Sequence, residues 1–260
     1  MGKITVEENG HVLLLGLNRA DKMNAFDVEM YMQLAEGLGK LNSTHHLRCG
    51  LIFAHGKHFT AGLDMAKWIE VFSSGRFPEL GEGLCDPLGL DEDRKISKPL
   101  VMAVQGICYT IGLELLLATE VRVAASDTRF GQIEVKRGIY PVGGATIRLP
   151  HELGWGNAMR YLLTGDEITA EEAYRMGLVQ EVTAPGRQYD RALAIAERIS
   201  EQAPLGVQAS LHSARLAVTA GVEKSASRLL PDLQPIMASD DAQEGIKSFL
   251  ERRKARFKGV

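Results

Sequence analysis

Apolar residues form short runs over the first two thirds of this chain and recur at helical spacing over the last third. Ile4 to Glu7 and Val12 to Leu17 are β-rich runs joined by Asn9-Gly10, a strong hairpin signal. Tyr31, Leu34, Leu38 and Leu41 follow at spacings of 3, 4 and 3, a helix that Asp27 is placed to cap. Cys49 to Ala54 reads as a short buried strand. Asp64 is expected to cap the helical stretch after it, which contains Trp68 and Phe72. Residues Ser73 to Glu92 are rich in Gly, Pro and acidic groups without a period, as in a substrate-shaped loop.

Strand Leu100–Gln105, a helix from about Gly112 to Thr119 and strand Val121–Ala125 repeat the strand, turn and helix order. Such repetition predicts a layered α/β spiral. From Thr169 onward the pattern is mostly helical, and no strand is evident beyond about Val182. Val207, Leu211, Ala214 and Val218 form one stripe, and Asp240 or Asp241 is placed to cap a last helix running into Phe249. The pattern divides the chain into an α/β core, residues 1–195, and a helical C-terminal region, residues 196–260. That region carries more apolar stripe than it buries alone, which predicts packing across subunits.

Composition narrows the function classes. A net charge of −3 and a pI near 6.2 give no electrostatic footprint for nucleic acid. The basic tail, Arg252 to Lys258, reads as the solvated end of a helix. Charges interrupt the N-terminus at once, and Glu114 and Glu120 break the longest apolar candidate, so neither a signal peptide nor a membrane span is expected. Cys49, Cys85 and Cys108 have no metal-ligand spacing and cannot all pair; a reducing cytoplasm and no metal site are the expectations.

The candidate chemistry centres on Gly106-Ile-Cys-Tyr-Thr-Ile-Gly-Leu-Glu114, where one carboxylate sits in an apolar or small run. An ionised glutamate there costs several kcal/mol unless paired, hydrated or protonated. The strand-to-helix junction before it leaves free N–H groups, where a developing oxyanion could rest. Glu134, 20 residues on, is a second carboxylate between apolar neighbours; adjacent carboxylates drive their pKa values apart and can work as acid and base. Either could instead bond backbone amides at a turn. Arg19 and Lys22 lie in a turn-rich link and could meet phosphates or simply be solvated. Ala61-Gly62 lets backbone approach a ligand, leaving the Leu63 N–H as a donor.

These segments resemble the crotonase superfamily, the enoyl-CoA hydratase/isomerase family. Asn-Arg-x-x-Lys-x-Asn-Ala at 18–25, Phe-x-Ala-Gly-x-Asp at 59–64, Gly-x-x-x-x-x-Gly-x-Glu-Leu at 106–115, Phe-Gly-x-x-Glu at 130–134 and the Pro-x-Gly-Gly turn carry it in order. The resemblance implies a crotonase-type spiral of ββα units with a helical trimerisation region. It implies an oxyanion hole from the Leu63 and Ile111 amides, and Glu114 and Glu134 positioning one water. It implies a CoA site along Arg19, Lys22, Met23, Ala25 and Ala61, covered from a neighbouring subunit by Phe249 and Arg252. Trp68, Phe72, Tyr109 and Val142 are the expected acyl pocket. Coenzyme A then arrives as part of the substrate thioester, no separate cofactor is needed, and the assembly is a homotrimer or homohexamer.

With both glutamates present, the resemblance implies hydration of a trans-2-enoyl-CoA. The rivals are enoyl-CoA isomerisation, another enolate reaction such as carnitinyl-CoA dehydration, or acyl-CoA binding without turnover. The chain departs from the usual glycines at Tyr109-Thr110-Ile111, and the Ile111 and Leu63 side chains are expected to narrow the acyl pocket.

Overall fold

The computed structural model describes residues 2–260. It opens with β1 (Ile4–Asn9) and β2 (Val12–Leu17), an antiparallel hairpin pairing Asn9 with Val12. The central turn residues are therefore Gly10 and His11, and Gly10 supplies the positive φ of 58°. Helix α1 (Val28–Ser43) follows, with the Asp27 carboxylate accepting from the Met30 N–H at 3.0 Å. Next come β3 (Cys49–Ala54), α2 (Met65–Ser74), β4 (Leu100–Val104), β5 (Ile107–Tyr109) and α3 (Ile111–Leu117). Then follow β6 (Val121–Ala125), β7 (Arg129–Gly131), α4 (Ala145–Leu153), α5 (Trp155–Thr164), β8 (Ile168–Thr169), α6 (Ala170–Arg175) and β9 (Glu181–Thr183). Helices α7 (Gln188–Ser200), α8 (Pro204–Ala220), α9 (Val222–Met237) and α10 (Asp240–Glu251) complete the chain.

The larger sheet has the order β1-β2-β3-β4-β6-β9 and is parallel from β2 onward; a smaller one has the order β5-β7-β8. Along β2, Leu13, Leu15 and Leu17 join the main core with α1, while Val12 and Leu14 join a second core under Ala192 and Ala196 of α7. Burial on both faces is why the run reads as continuously apolar rather than alternating. The short strands β5, β7 and β8 escaped the sequence pattern, being only two or three residues each.

Helix α7 runs straight through residue 195 and packs on the sheet, so it belongs to the core. A boundary at 195/196 would therefore cut a continuous helix whose apolar face covers the sheet. Two other expectations change at the C-terminus. Ser239, not Asp240 or Asp241, caps α10, accepting from the Ala242 N–H at 3.1 Å. Asp241 accepts from the Lys258 and Gly259 N–H groups at 2.6 and 2.7 Å, which folds the basic tail back along α10 instead of extending the helix. Among the described residues no helix is long and apolar enough to cross a membrane.

Candidate active site

Three successive passes of the spiral bring their functional segments to one end of the small sheet. Thr60 bridges Cys108 of β5, and Tyr109 of β5 pairs with Gly131 of β7. The chain leaving each strand there carries Gly62-Leu63, Thr110-Ile111 and Gln132 to Glu134 respectively. Parallel neighbours in register make these segments lateral neighbours, although 71 residues of sequence separate the Leu63 and Glu134 positions.

Backbone bonding determines which amides stay free. Phe26 donates to the Gly62 carbonyl at 2.8 Å and accepts from the Asp64 N–H at 2.9 Å. In extended chain the intervening Leu63 N–H then points to the opposite side. On the second segment, the Thr110 N–H donates to the Gly131 carbonyl at 2.8 Å, and α3 starts at Ile111 with its first N–H groups lacking intrahelical acceptors. Among the described residues neither the Leu63 nor the Ile111 N–H has a protein acceptor. The two segments interlock: a Cβ on Gly112 would lie 2.5 Å from Thr60 Cγ2, and one on Gly62 would lie 2.5 Å from Thr110 Oγ1.

Glu114 is 4% exposed, and its Oε1 accepts from the Gly143 and Ala145 N–H groups at 2.7 and 3.3 Å, at the start of α4. Burial pushes its pKa up to about 7, against the pull of those N–H groups and of Arg148. Glu134, 6% exposed, is raised to about 7 by burial first and by the Glu114 charge as well. The buried Gln132 amide lies against Glu134: Nε2 donates to the Thr110 carbonyl at 3.4 Å in one orientation of the amide, and to Glu134 Oε1 and Oε2 at 2.8 and 3.0 Å in the exchanged one, so it can serve the acid form of Glu134 or its carboxylate. Both glutamates line one cavity of about 460 Å³, walled by Leu63, Val71, Phe72, Phe77, Ile139, Tyr140 and Val142.

Leu63, Phe72 and Val142 line this cavity together with Glu114 and Glu134. Trp68 does not line the cavity: it is wholly buried behind Phe72 and Phe77, with Nε1 donating to the Phe26 carbonyl at 2.8 Å. Tyr109 is absent from the cavity wall too, its hydroxyl donating to Glu167. The Ile111 side chain packs into the main core and does not line the cavity, so it is not placed to narrow it as expected.

Arg19 is drawn inward. It pairs with Asp27 at 3.3 Å and Asp64 at 3.0 Å and donates to the Ala25 carbonyl at 2.8 Å. Asp64 accordingly serves Arg19 and makes no side-chain cap on α2. Lys22 and Met23 are exposed, while the Ala61 N–H donates to the Met23 carbonyl at 2.9 Å, tying the 18–25 link to the Leu63 segment. Phe249 is 82% exposed, and neither it nor Arg252 lines the cavity within the chain. A larger open groove of about 850 Å³ lies between α10 and the tail, but its wall includes the ion pair Arg253–Glu244 and neither glutamate of the buried pair.

The sequence pattern does not single out Gln132, Phe77, Ile139 or Tyr140, and it marks Gly143 only as part of the Pro-x-Gly-Gly turn, not as a donor to Glu114. Gln132 carries a usable signal, as an amide inside the apolar run Phe130 to Ile133.

Comparison with known proteins places the whole chain in one family. A family model described as enoyl-CoA hydratase/isomerase matches residues 7–260. The chain is 34% identical over 253 residues to the enoyl-CoA hydratase EchA19 of Mycobacterium tuberculosis, covering 97% of this chain and 95% of the relative. It is 34% identical over 260 residues to the (E)-benzylidenesuccinyl-CoA hydratase of Thauera aromatica, covering 99% of both. A crystal structure of a "probable enoyl-CoA hydratase/isomerase" from Mycobacterium abscessus superimposes with a TM-score of 0.95 at 44% identity, over 99% of both chains. Matched by that family model over residues 7–260 and by these relatives over nearly its whole length, the chain belongs to the enoyl-CoA hydratase/isomerase family of crotonase-fold proteins.

Proposed function

We propose that this chain is an enoyl-CoA hydratase, adding water reversibly across the 2,3 double bond of a trans-2-enoyl-CoA to give a 3-hydroxyacyl-CoA. The observation that carries the reading is the presence of both Glu114 and Glu134 on one cavity wall, at the end of the sheet where the Leu63 and Ile111 N–H groups stay unpaired. The thioester oxygen accepts from those two amides. Donors so aimed commonly contribute about 2.7–4 kcal/mol each to a developing oxyanion. A water held between the carboxyls gives its proton to Glu114, which the Gly143 and Ala145 amides favour as carboxylate. Its oxygen bonds to C3, the π electrons move through C2 to the thioester oxygen, and the Glu134 carboxylic acid returns a proton to C2.

Coenzyme A enters as part of the substrate. Lys22 and the exposed Met23 are the proposed contacts for its polar end, with Arg19 shaping the link from below. The apolar residues left exposed on α8–α10, including Val218, Leu230, Phe249 and Leu250, support a homotrimer or homohexamer in which a neighbour's Phe249 and Arg252 cover the CoA. Three buried free thiols fit a reducing, cytoplasmic setting. A panel of C4 to C16 enoyl-CoA esters assayed for hydration and for isomerisation tests the reaction. Isomerisation without hydration would replace it with single-base enolate chemistry.

A further inference from the structure

Thr110 carries two local penalties at once. It is a β-branched residue at φ 49°, ψ −115°, outside the regions such residues ordinarily occupy. Its Oγ1 is buried without a hydrogen-bond partner, and the residue is only 8% exposed. Glycine would remove both costs. Strain of this kind persists where surroundings over-determine it, and it gathers at functional sites.

The surroundings of Thr110 show what it connects. Its N–H donates to the Gly131 carbonyl at 2.8 Å, at the root of the segment carrying Gln132 and Glu134. Its carbonyl accepts from the Glu114 N–H at 3.0 Å. Its side chain faces Gly62, where a Cβ would lie 2.5 Å from Oγ1 and 3.4 Å from Cγ2. The residue therefore fills the space between the Gly62-Leu63 segment and the start of α3, with one free amide on each side.

We infer that Thr110 is a positioning residue: its side chain is the spacer that fixes the separation of the Leu63 and Ile111 N–H groups, and so the polarisation of the thioester oxygen. The inference rests on the proposed role of those amides as oxyanion donors. Nothing bonds to Oγ1, so bulk rather than hydroxyl chemistry is what the position supplies. A glycine there would let the two segments drift while leaving the rest of the cavity wall intact.

The test compares wild type, Thr110→Gly and Thr110→Val in three measurements. These are melting temperature, kcat and KM for crotonyl-CoA hydration, and the absorption shift of bound para-dimethylaminocinnamoyl-CoA, which reports carbonyl polarisation without turnover. Thr110→Gly should melt no lower than wild type, since it relieves strain. Its kcat should fall ~10-fold with KM within about 3-fold, because a misaimed donor loses part of what a deleted donor loses. The bound probe should shift less than in wild type. Thr110→Val keeps the bulk and should stay close to wild type in kcat and in probe shift.

A glycine variant with unchanged kcat and unchanged shift overturns the inference. So does a valine variant as impaired as the glycine one, since the hydroxyl and not the bulk would then matter. Wild type that shifts the probe but does not hydrate removes the hydratase reading alone, and the spectra still decide for Thr110. Wild type that does neither removes the oxyanion assignment and this inference with it.

Discussion

The Gly143 N–H donates to Glu114 Oε1 at 2.7 Å, and a methyl group added at Gly143 would overlap the same carboxylate. The start of α4 thus aims the carboxyl of α3 by direct contact as well as by hydrogen bonding. Gly143→Ala should push Glu114 off the water position while leaving the acyl wall in place. We expect kcat to fall by at least the ~10²-fold that a lost general base costs, with KM changed only a few-fold. Steady-state hydration kinetics decide it, and a variant with normal kcat would show that Glu114 tolerates displacement and does not position the water.

How far the sequence reveals this arrangement depends on whether a residue's partners lie nearby in the chain. Glu114 is legible because a carboxylate in an apolar run must be buried, and burial is what raises it. The hairpin and α1 are legible for the same reason, since turn and cap chemistry are local. Arg19 misleads: Asp27 and Asp64 stand 8 and 45 residues away, and nothing in a linear pattern shows that both converge on it. Trp68 and Phe72 share one helix face and stack at 5.7 Å, yet only Phe72 reaches the cavity. Helical period identifies the buried face and not which ring on it meets substrate. Ile111 shows the same limit, since its amide faces one way and its side chain the other.

Catalysis should depend on pH through both carboxyls. Glu114 and Glu134 are each raised to about 7, so the form with one proton on the pair is best populated near neutrality. Below that range the base is protonated, and above it the acid is lost. A bell-shaped profile of kcat/KM with its maximum roughly at pH 7 is expected. Glu114→Gln and Glu134→Gln should each lower hydration at least ~100-fold while acyl-CoA affinity holds within a few-fold. A flat profile between pH 5 and 9 would sink the acid–base pairing.

Stability should run the opposite way from ordinary surface carboxylates. Glu134 has a folded pKa of about 7 against an ordinary 4.5, so its protonated form is favoured in the folded state. That contribution is fully present below pH 4.5 and is lost as pH rises through 7. Replacement by Gln removes the ionisation and should stabilise the protein at pH 8, by up to roughly 3 kcal/mol relative to its effect at pH 4. Melting temperatures of the two proteins across this range give the answer. Parallel curves would mean that Gln132 already neutralises the cost of the buried charge.

Arg19 and Lys22 should separate into a structural and a binding residue. Arg19→Ala leaves Asp64 without its cation and opens the bracket around Ala25, so a stability loss of roughly 2 kcal/mol is expected. Lys22 is exposed, and among the described residues its ammonium forms no ion pair. Lys22→Ala should leave the melting temperature unchanged and raise KM about 10-fold, the cost of one charge-assisted phosphate contact. The reverse pattern would return Arg19 to the phosphate site.

Assembly should complete the CoA site. Phe249 and Leu250 are 82% and 75% exposed, on a helix whose neighbour α9 also leaves Leu229, Leu230 and Met237 open. So much apolar surface on consecutive helices calls for a covering partner, and a second copy of the chain is the proposed one. Light scattering should give a mass three or six times 28.4 kDa. Truncating the end of the chain would be a poor probe, because Asp241 holds the Lys258 and Gly259 amides and Arg48 holds the Phe257 carbonyl. Phe249→Ser spares those ties. It should raise KM for acyl-CoA far more than it lowers kcat, since the covering ring lies away from the reacting carbons. A fully active monomer would remove the neighbour's contribution altogether. An intact trimer in which Phe249→Ser keeps normal KM would remove only the contact between that ring and CoA.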